Sequence, residues 1–229
     1  MDNETQLILN FDLKELARFE NFIIDDNQTL INDLQNESQF CIYFYGTSGS
    51  GKTHLLHSLC HEYTRFSKST TYIPLADYQS LSPKIFVGLE NMNLVCIDDI
   101  QMIAGIEQWE IELFHLYNRV RDNNGRIIVS SAISLKSLPI NLADLRSRFS
   151  WGPVYQIKAL SDSNKCLALQ QHASSRGLEL TDEICEYLLS RYSRDIGSLF
   201  EMLDALDKAA LVAKRKITIP FVRKILVDE

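Results

Sequence analysis

Apolar residues change their spacing along the chain, and those changes predict its elements. Phe40 to Tyr45 (Phe-Cys-Ile-Tyr-Phe-Tyr) is an unbroken apolar and aromatic run that stops at Gly46. Such a run reads as a strand buried on both faces. Asn93 to Ile97 (Asn-Leu-Val-Cys-Ile) is a second one, closed by Asp98-Asp99, and Thr70–Pro74 and Arg126–Val129 predict two shorter strands. Between them the period becomes helical. Residues 28–37 and Lys52 to about Phe66 read as helices, and over 107–122 the apolar positions Trp109, Leu113, Leu116 and Val120 recur at helical spacing. Strands alternating with helices predict an α/β fold, a parallel sheet with helices on both faces.

Near residue 160 the pattern changes. No strand-like run follows Ser161; 162–175, 182–193 and 196–213 all read as helices. Leu199, Leu203, Leu206 and Ala210 form one stripe on the longest. Thr181 suits an N-cap, Gly177 a C-cap, and Pro220 the first turn of a last short helix. The expected organisation is a tail over 1–12, an α/β unit over 13–160 and a helical unit over 161–229.

Composition narrows the class. With 23 Lys and Arg against 30 Asp and Glu, the net charge is −7. A protein that lives by non-specific DNA binding needs a basic surface to displace counterions. Lys214-Arg215-Lys216 is the one basic triplet; it suits a solvated helix C-terminus as well as a local patch. No apolar run is long enough to span a bilayer, and Met1 to Glu4 do not open a secretory signal. The five cysteines are an odd number without close pairs, as in a cytoplasmic protein with reduced thiols.

Gly46-Thr47-Ser48-Gly49-Ser50-Gly51-Lys52-Thr53 fits G-x-x-x-x-G-K-[ST] between a predicted strand and a predicted helix. Glycines let backbone N–H groups wrap phosphates. Lys52 brings a point charge, Thr53 a hydroxyl for Mg²⁺, and the helix N-terminus a partial positive charge that extends to His54. Two acids after a strand can be a simple loop or cap. Behind such a loop, Asp98 becomes the candidate Mg²⁺ ligand and Asp99 the candidate water-polarising acid. Arg146 and Arg148 in Leu145-Arg146-Ser147-Arg148-Phe149-Ser150-Trp151-Gly152 suit surface ion pairs or a cation reaching a neighbour's γ-phosphate. His54, His57 and His61 share a helix face without a third ligand of suitable spacing, as packing or surface histidines do.

Taken together, the loop, the Leu-Val-Cys-Ile-Asp-Asp strand, the arginine segment and the helical C-terminal part resemble the DnaA-type AAA+ ATPases over nearly the whole chain. The resemblance implies an AAA+ P-loop sheet with a small helical lid. Phe19-Glu20-Asn21-Phe22 resembles the lead-in that lies beside adenine in that family. The helix-turn-helix that binds origin DNA in DnaA has no counterpart after the lid. Gln6-Leu7-Ile8-Leu9-Asn10-Phe11 is similar to the peptide that docks on the DNA polymerase III β sliding clamp. Leu7, Leu9 and Phe11 alternate, so in an extended segment all three face one pocket, with Gln6 at its edge; from spacing alone an ordinary first strand or tail fits better.

Trp109-Glu110, Phe114 to Arg119 and Lys214 to Leu226 add to a likeness with a regulatory branch of the family. That likeness implies an ADP-bound protein that sits on the DNA-loaded clamp, contacts DnaA and promotes hydrolysis of its ATP. DNA would be met through the clamp, and a homodimer or homo-oligomer is expected. Arg148 would be an arginine finger acting in trans; Lys52, Thr53 and Asp98 would hold the chain's own ADP (or ATP) and Mg²⁺. The sequence departs from the family pattern twice. Gly197 stands where the lid's phosphate-contacting arginine belongs, with Arg194 one turn earlier as the candidate substitute. The polar residue after strand 126–129 falls at Ser131 or Ala132. Both departures imply weak hydrolysis by this chain at most. The other readings are a self-hydrolysing ATPase, such as a helicase loader or DnaA paralogue, and a module that docks on the clamp for another client.

Overall fold

The computed structural model describes residues 17–192, 195–213 and 215–226. Its centre is a parallel sheet of β1 (Cys41–Tyr45), β2 (Thr70–Pro74), β3 (Leu94–Asp98), β4 (Arg126–Ser131) and β5 (Val154–Gln156), in the order β2-β3-β4-β1-β5. The registers are parallel throughout: Tyr43 lies opposite Val129 and Val154, and Ile97 opposite Ile73 and Val129. The continuous apolar runs are explained by this. Successive side chains in a strand face opposite ways. Tyr43, Val95, Ile97, Ile127 and Val129 join a core on one face, with Leu113, Leu116 and Phe149; Ile42, Phe44, Leu94, Cys96 and Ile128 join a core on the other, with Leu34, Leu55 and Leu59.

Helices α1 (Gln28–Gln35) and α2 (Lys52–Arg65) supply the second face; α3 (Glu107–Asp122) and α4 (Ala143–Phe149) supply the first. The short α4 and β5 carry too few residues to show a period and are not foreseen from the sequence. The remaining helices, α5 (Asp162–Ser174), α6 (Asp182–Arg191), α7 (Ile196–Ala213) and α8 (Ile219–Leu226), share a core of their own built on Leu169, Leu188, Leu199, Leu203, Leu206 and Val222. Pro220 falls in the first turn of α8. Thr181 stands at the N-cap of α6, but its side chain makes no capping bond. Among the described residues no helix is long and apolar enough to cross a membrane.

Two features hold the sheet's ends. At the start of β4, Arg126 is buried, and its guanidinium donates to the carbonyls of Leu34, Asp33, Asn36 and Gln39 and to the Tyr63 hydroxyl, at 2.7–3.2 Å. A buried cation is tolerated because every arm of its fork meets an acceptor. At the other end, β1 runs into a glycine loop, and α2 then carries the chain across to β2 at the far edge. Ligands of parallel sheets bind outside the strands' carboxyl ends, where neighbouring connections diverge, and β1 between β4 and β5 is such a place.

Candidate nucleotide site

Residues 46–53 lie between β1 and α2. Gly46 donates its N–H to Ser131 at 3.1 Å, anchoring the loop to the end of β4. Gly49 and Gly51 have φ of +71° and +94°, a left-handed conformation that an L side chain resists. Gly51 is also the N-cap of α2, and a Cβ there would sit 2.6 Å from the Phe22 ring. The lead-in segment therefore lies against the start of α2. His54 follows the same contact, donating Nε2–H to the Arg18 carbonyl at 2.9 Å, with its ring 5.6 Å from that of Phe22. Lys52 is buried and folds back over the loop, donating Nζ–H to Gly46 O at 2.9 Å and Thr47 O at 3.0 Å. The Ser50 hydroxyl is buried without a hydrogen-bond partner.

Asp98 ends β3 beside the loop and is 2% exposed. Its carboxylate is surrounded by hydroxyls. Oδ2 accepts from Thr53 at 2.6 Å and from Tyr72 at 2.8 Å; Oδ1 accepts from Ser130. Burial together with the Asp98 charge drives the Tyr72 phenol far above its ordinary range, so it remains a donor. Ser130 is the β4 residue that reaches Asp98. β4 continues through Ser131, two residues past its apolar run. Tyr72 and Ser130 escape a linear reading because only the order β2-β3-β4 sets them on either side of Asp98.

Asp99 takes a left-handed conformation, φ +57°. Its carboxylate accepts from the Gln101 amide at 2.9 Å, and Gln101 Oε1 in turn accepts from Ser131 Oγ at 3.1 Å and from Ala132 N–H at 3.0 Å. The second acid is thus tethered to the end of β4 by a glutamine. His57 is buried and packs its ring edgewise on Tyr72 at 4.3 Å.

One hydroxyl and one carboxylate 2.6 Å apart at the mouth of a glycine loop suit Mg²⁺, which binds few protein ligands and takes the rest from phosphates and water. The buried Lys52, the helix N-terminus and the unpartnered Ser50 hydroxyl suit the phosphates themselves. Near this loop stands the start of α7: a Cβ on Gly49 would meet Asp195 Oδ1 at 2.4 Å, and the other oxygen of Asp195 caps α7 by accepting from Ser198 N–H at 2.9 Å. Gly197 lies beside the same carboxylate. Arg194 is outside the described residues, as are Gln6, Leu7, Leu9 and Phe11.

Arg148 belongs to a different place. It lies on α4 with its guanidinium over the rings of Trp151 at 4.2 Å and Phe114 at 5.9 Å. Arg146, two residues earlier, turns its guanidinium onto the carbonyls of Leu138 and Ile140, at 3.3 and 2.5 Å.

Comparison with known proteins agrees with this geometry. Residues 79–156 match the bacterial DnaA ATPase domain and residues 162–226 match the Hda lid domain. A Haemophilus influenzae protein, described as uncharacterized, is 42% identical over 215 residues, covering 92% of this chain and 93% of its own. Domain III of the Thermotoga maritima replication initiation protein DnaA superimposes with a TM-score of 0.81 at 19% identity, covering 95% of this chain and 98% of that domain. A DnaA structure with AMPPCP and single-stranded DNA gives a TM-score of 0.69 at 25% identity, covering 84% of this chain and 66% of that one. The fold and site define a DnaA-like AAA+ protein. Within that class the match of residues 162–226 to the Hda lid marks the chain as an Hda-type, DnaA-related protein.

Proposed function

We propose that this chain, loaded with ADP, docks on the DNA-loaded sliding clamp and promotes hydrolysis of ATP held by DnaA, preventing re-initiation. The observation that carries the reading is Arg148: its guanidinium lies over the aromatic faces of Trp151 and Phe114 and, among the described residues, is paired with no carboxylate, which leaves its N–H donors to a neighbour's phosphate. It is the arginine finger in this reading, supplied in trans.

Lys52, Thr53 and Asp98 hold the chain's own ADP and Mg²⁺, with Gly46, Gly49, Ser50, Gly51 and His54 forming the cradle. A bound Mg²⁺ supplies charge neutralisation along the phosphates. Asp98 is kept in place by Tyr72 and Ser130. Asp99, tied to Gln101, is a poor candidate for turning a water onto a γ-phosphate, and Gly197 offers no cation there. Both favour a stable ADP state, with Arg194 the remaining candidate for a phosphate contact from the lid. Gln6, Leu7, Leu9 and Phe11 are the clamp contacts, and self-association as a dimer or larger oligomer belongs to the same reading.

The test is hydrolysis of DnaA-bound ATP with ADP, clamp and DNA each present or omitted. Stimulation should require all of them. A second reading, a self-hydrolysing ATPase such as a helicase loader, draws on the complete Lys52, Thr53 and Asp98 set. It is favoured instead if the chain alone releases phosphate from ATP at a rate DnaA does not change.

A further inference from the structure

An exposed tryptophan at the end of a short helix calls for a reason. Trp151 is 64% exposed, yet its position is tightly fixed. Its N–H donates to Arg148 O at 3.2 Å, and the buried Tyr117 hydroxyl donates to the same carbonyl at 2.9 Å. The next residue, Gly152, passes so close to β1 that a Cβ there would lie 2.0 Å from Cys41 O. Pro153 then accepts the Tyr43 N–H at 3.1 Å. The turn that carries the indole is thereby bolted to the sheet, while the indole itself lies in solvent with Arg148 stacked on it and Arg121 at 6.0 Å.

The chemistry of that stacking differs from that of an ion pair. A carboxylate partner would occupy the in-plane N–H groups of a guanidinium, the groups a phosphate needs. An aromatic face engages the flat side of the cation and leaves the N–H edge open. Four other arginines are engaged through their edges: Arg126 by four carbonyls and a hydroxyl, Arg146 by two carbonyls, Arg119 by Glu90 and Phe86 O, Arg176 by Asp204; Arg65 and Arg223 also lie over rings, but at 5.2 and 5.3 Å against 4.2 Å for Arg148.

We infer that Trp151 is a positioning residue: it pre-orders the Arg148 guanidinium at the protein's edge without occupying its donors. This rests on the trans-acting reading of Arg148 given above. It adds a second residue whose loss lowers the stimulated reaction by acting through Arg148.

Two measurements test it, one of which needs no partner. Collisional quenching of tryptophan emission by acrylamide reads Trp151, because Trp109, the other tryptophan, is buried. Arg148→Ala in the ADP-loaded chain should raise the quenching constant; an unchanged constant means the stack is absent and overturns the inference alone. The second is stimulated hydrolysis of DnaA-bound ATP titrated with the variants. Trp151→Ala should lower the maximal rate by about two- to fivefold, the factor an exposed cation–π contact supplies. The half-saturating concentration should stay put, and Trp151→Phe should restore most of the rate. A full rate in Trp151→Ala, beside an inactive Arg148→Ala, overturns the inference and leaves the proposed function standing. So does a change confined to the half-saturating concentration, which marks Trp151 as a partner contact. Full stimulation by Arg148→Ala removes the underlying reading and this one with it.

Discussion

Lys52 and Arg148 are two cations that the chain treats in opposite ways. Lys52 is buried in its own loop, and its ammonium is bonded to the carbonyls of Gly46 and Thr47. Arg148 rests on the flat faces of Trp151 and Phe114 at the end of α4. A point charge with three rotatable donors can fold back and then swing onto an incoming phosphate; a planar fork serves a phosphate that arrives from outside. Under the proposed function the contrast is between a region that keeps a nucleotide and a region that acts on another protein's. It also explains why the two arginines of α4 are not equivalent. Arg146 fastens the segment through Leu138 and Ile140, so its loss is read first as a stability change.

The contrast can be broken most sharply at Arg148. Arg148→Ala should reduce stimulated hydrolysis by DnaA by up to about 10³–10⁵, the range of fingers supplied in trans. Arg148→Lys should do nearly as badly, because it lacks the fork. ADP and clamp binding should remain normal in both. Arg146→Ala should instead lower the melting temperature modestly, a loss of about 0.5–1.5 kcal/mol for hydrogen bonds made by an exposed side chain, with a milder effect on stimulation. A stimulation assay beside a thermal melt separates the two.

The other side of the contrast is next in size. ADP at about 100 times its dissociation constant should add roughly 2.7 kcal/mol to stability, and more than ATP does. Lys52→Ala should lose most of that shift in a melting experiment. Equal stabilisation of wild type and variant would mean that the loop does not hold the phosphates.

The tail should contribute less. Replacing Gln6 and Leu7 by Ala should weaken binding to an immobilised clamp at least tenfold, since a buried Leu is worth about 1.5–3 kcal/mol. Folding and ADP binding should not change, and an unaltered clamp affinity would remove the peptide from the mechanism.

The last effect, on stability alone and far from the working pH of either cation, is that of alkaline pH. Burial pushes the Tyr43 phenol up to about 12, and Tyr72 higher still. Below pH ~10, the ordinary value, both states keep the proton and the stability contributed by these groups is complete. Above it the unfolded chain releases protons the native state retains. Stability should therefore fall between about pH 10 and 12, by up to roughly 1.4 kcal/mol per pH unit for each group. A urea titration at several alkaline pH values checks the slope, which Tyr43→Phe should reduce.

Much of the nucleotide region was legible in the chain. Glycines, Lys52 and Thr53 are contiguous and sit between a buried run and a helix, so linear spacing encodes them. Asp98 was legible because it ends an apolar strand. Ser130, Tyr72 and Gln101 were not, because they come together only through strand order and the extra length of β4. Arg126 looked like the polar first residue of a strand; its burial depends on four carbonyls from the end of α1 and the segment after it. The arginine pair was visible as a motif, but which member bonds backbone carbonyls depends on where the segment 138–140 passes, and no periodicity reports that.

The most direct measurement follows a labelled γ-phosphate. DnaA loaded with [γ-³²P]ATP is mixed with the ADP-loaded chain on clamp and DNA, and label release is compared for wild type and Arg148→Ala. A parallel reaction places the label on this chain alone. The expected result is fast release from DnaA with wild type, near-background release with Arg148→Ala, and the same slow release from the chain's own nucleotide in both. Loss of the chain's own hydrolysis in Arg148→Ala, with release from DnaA unaffected, would contradict a trans-acting arginine.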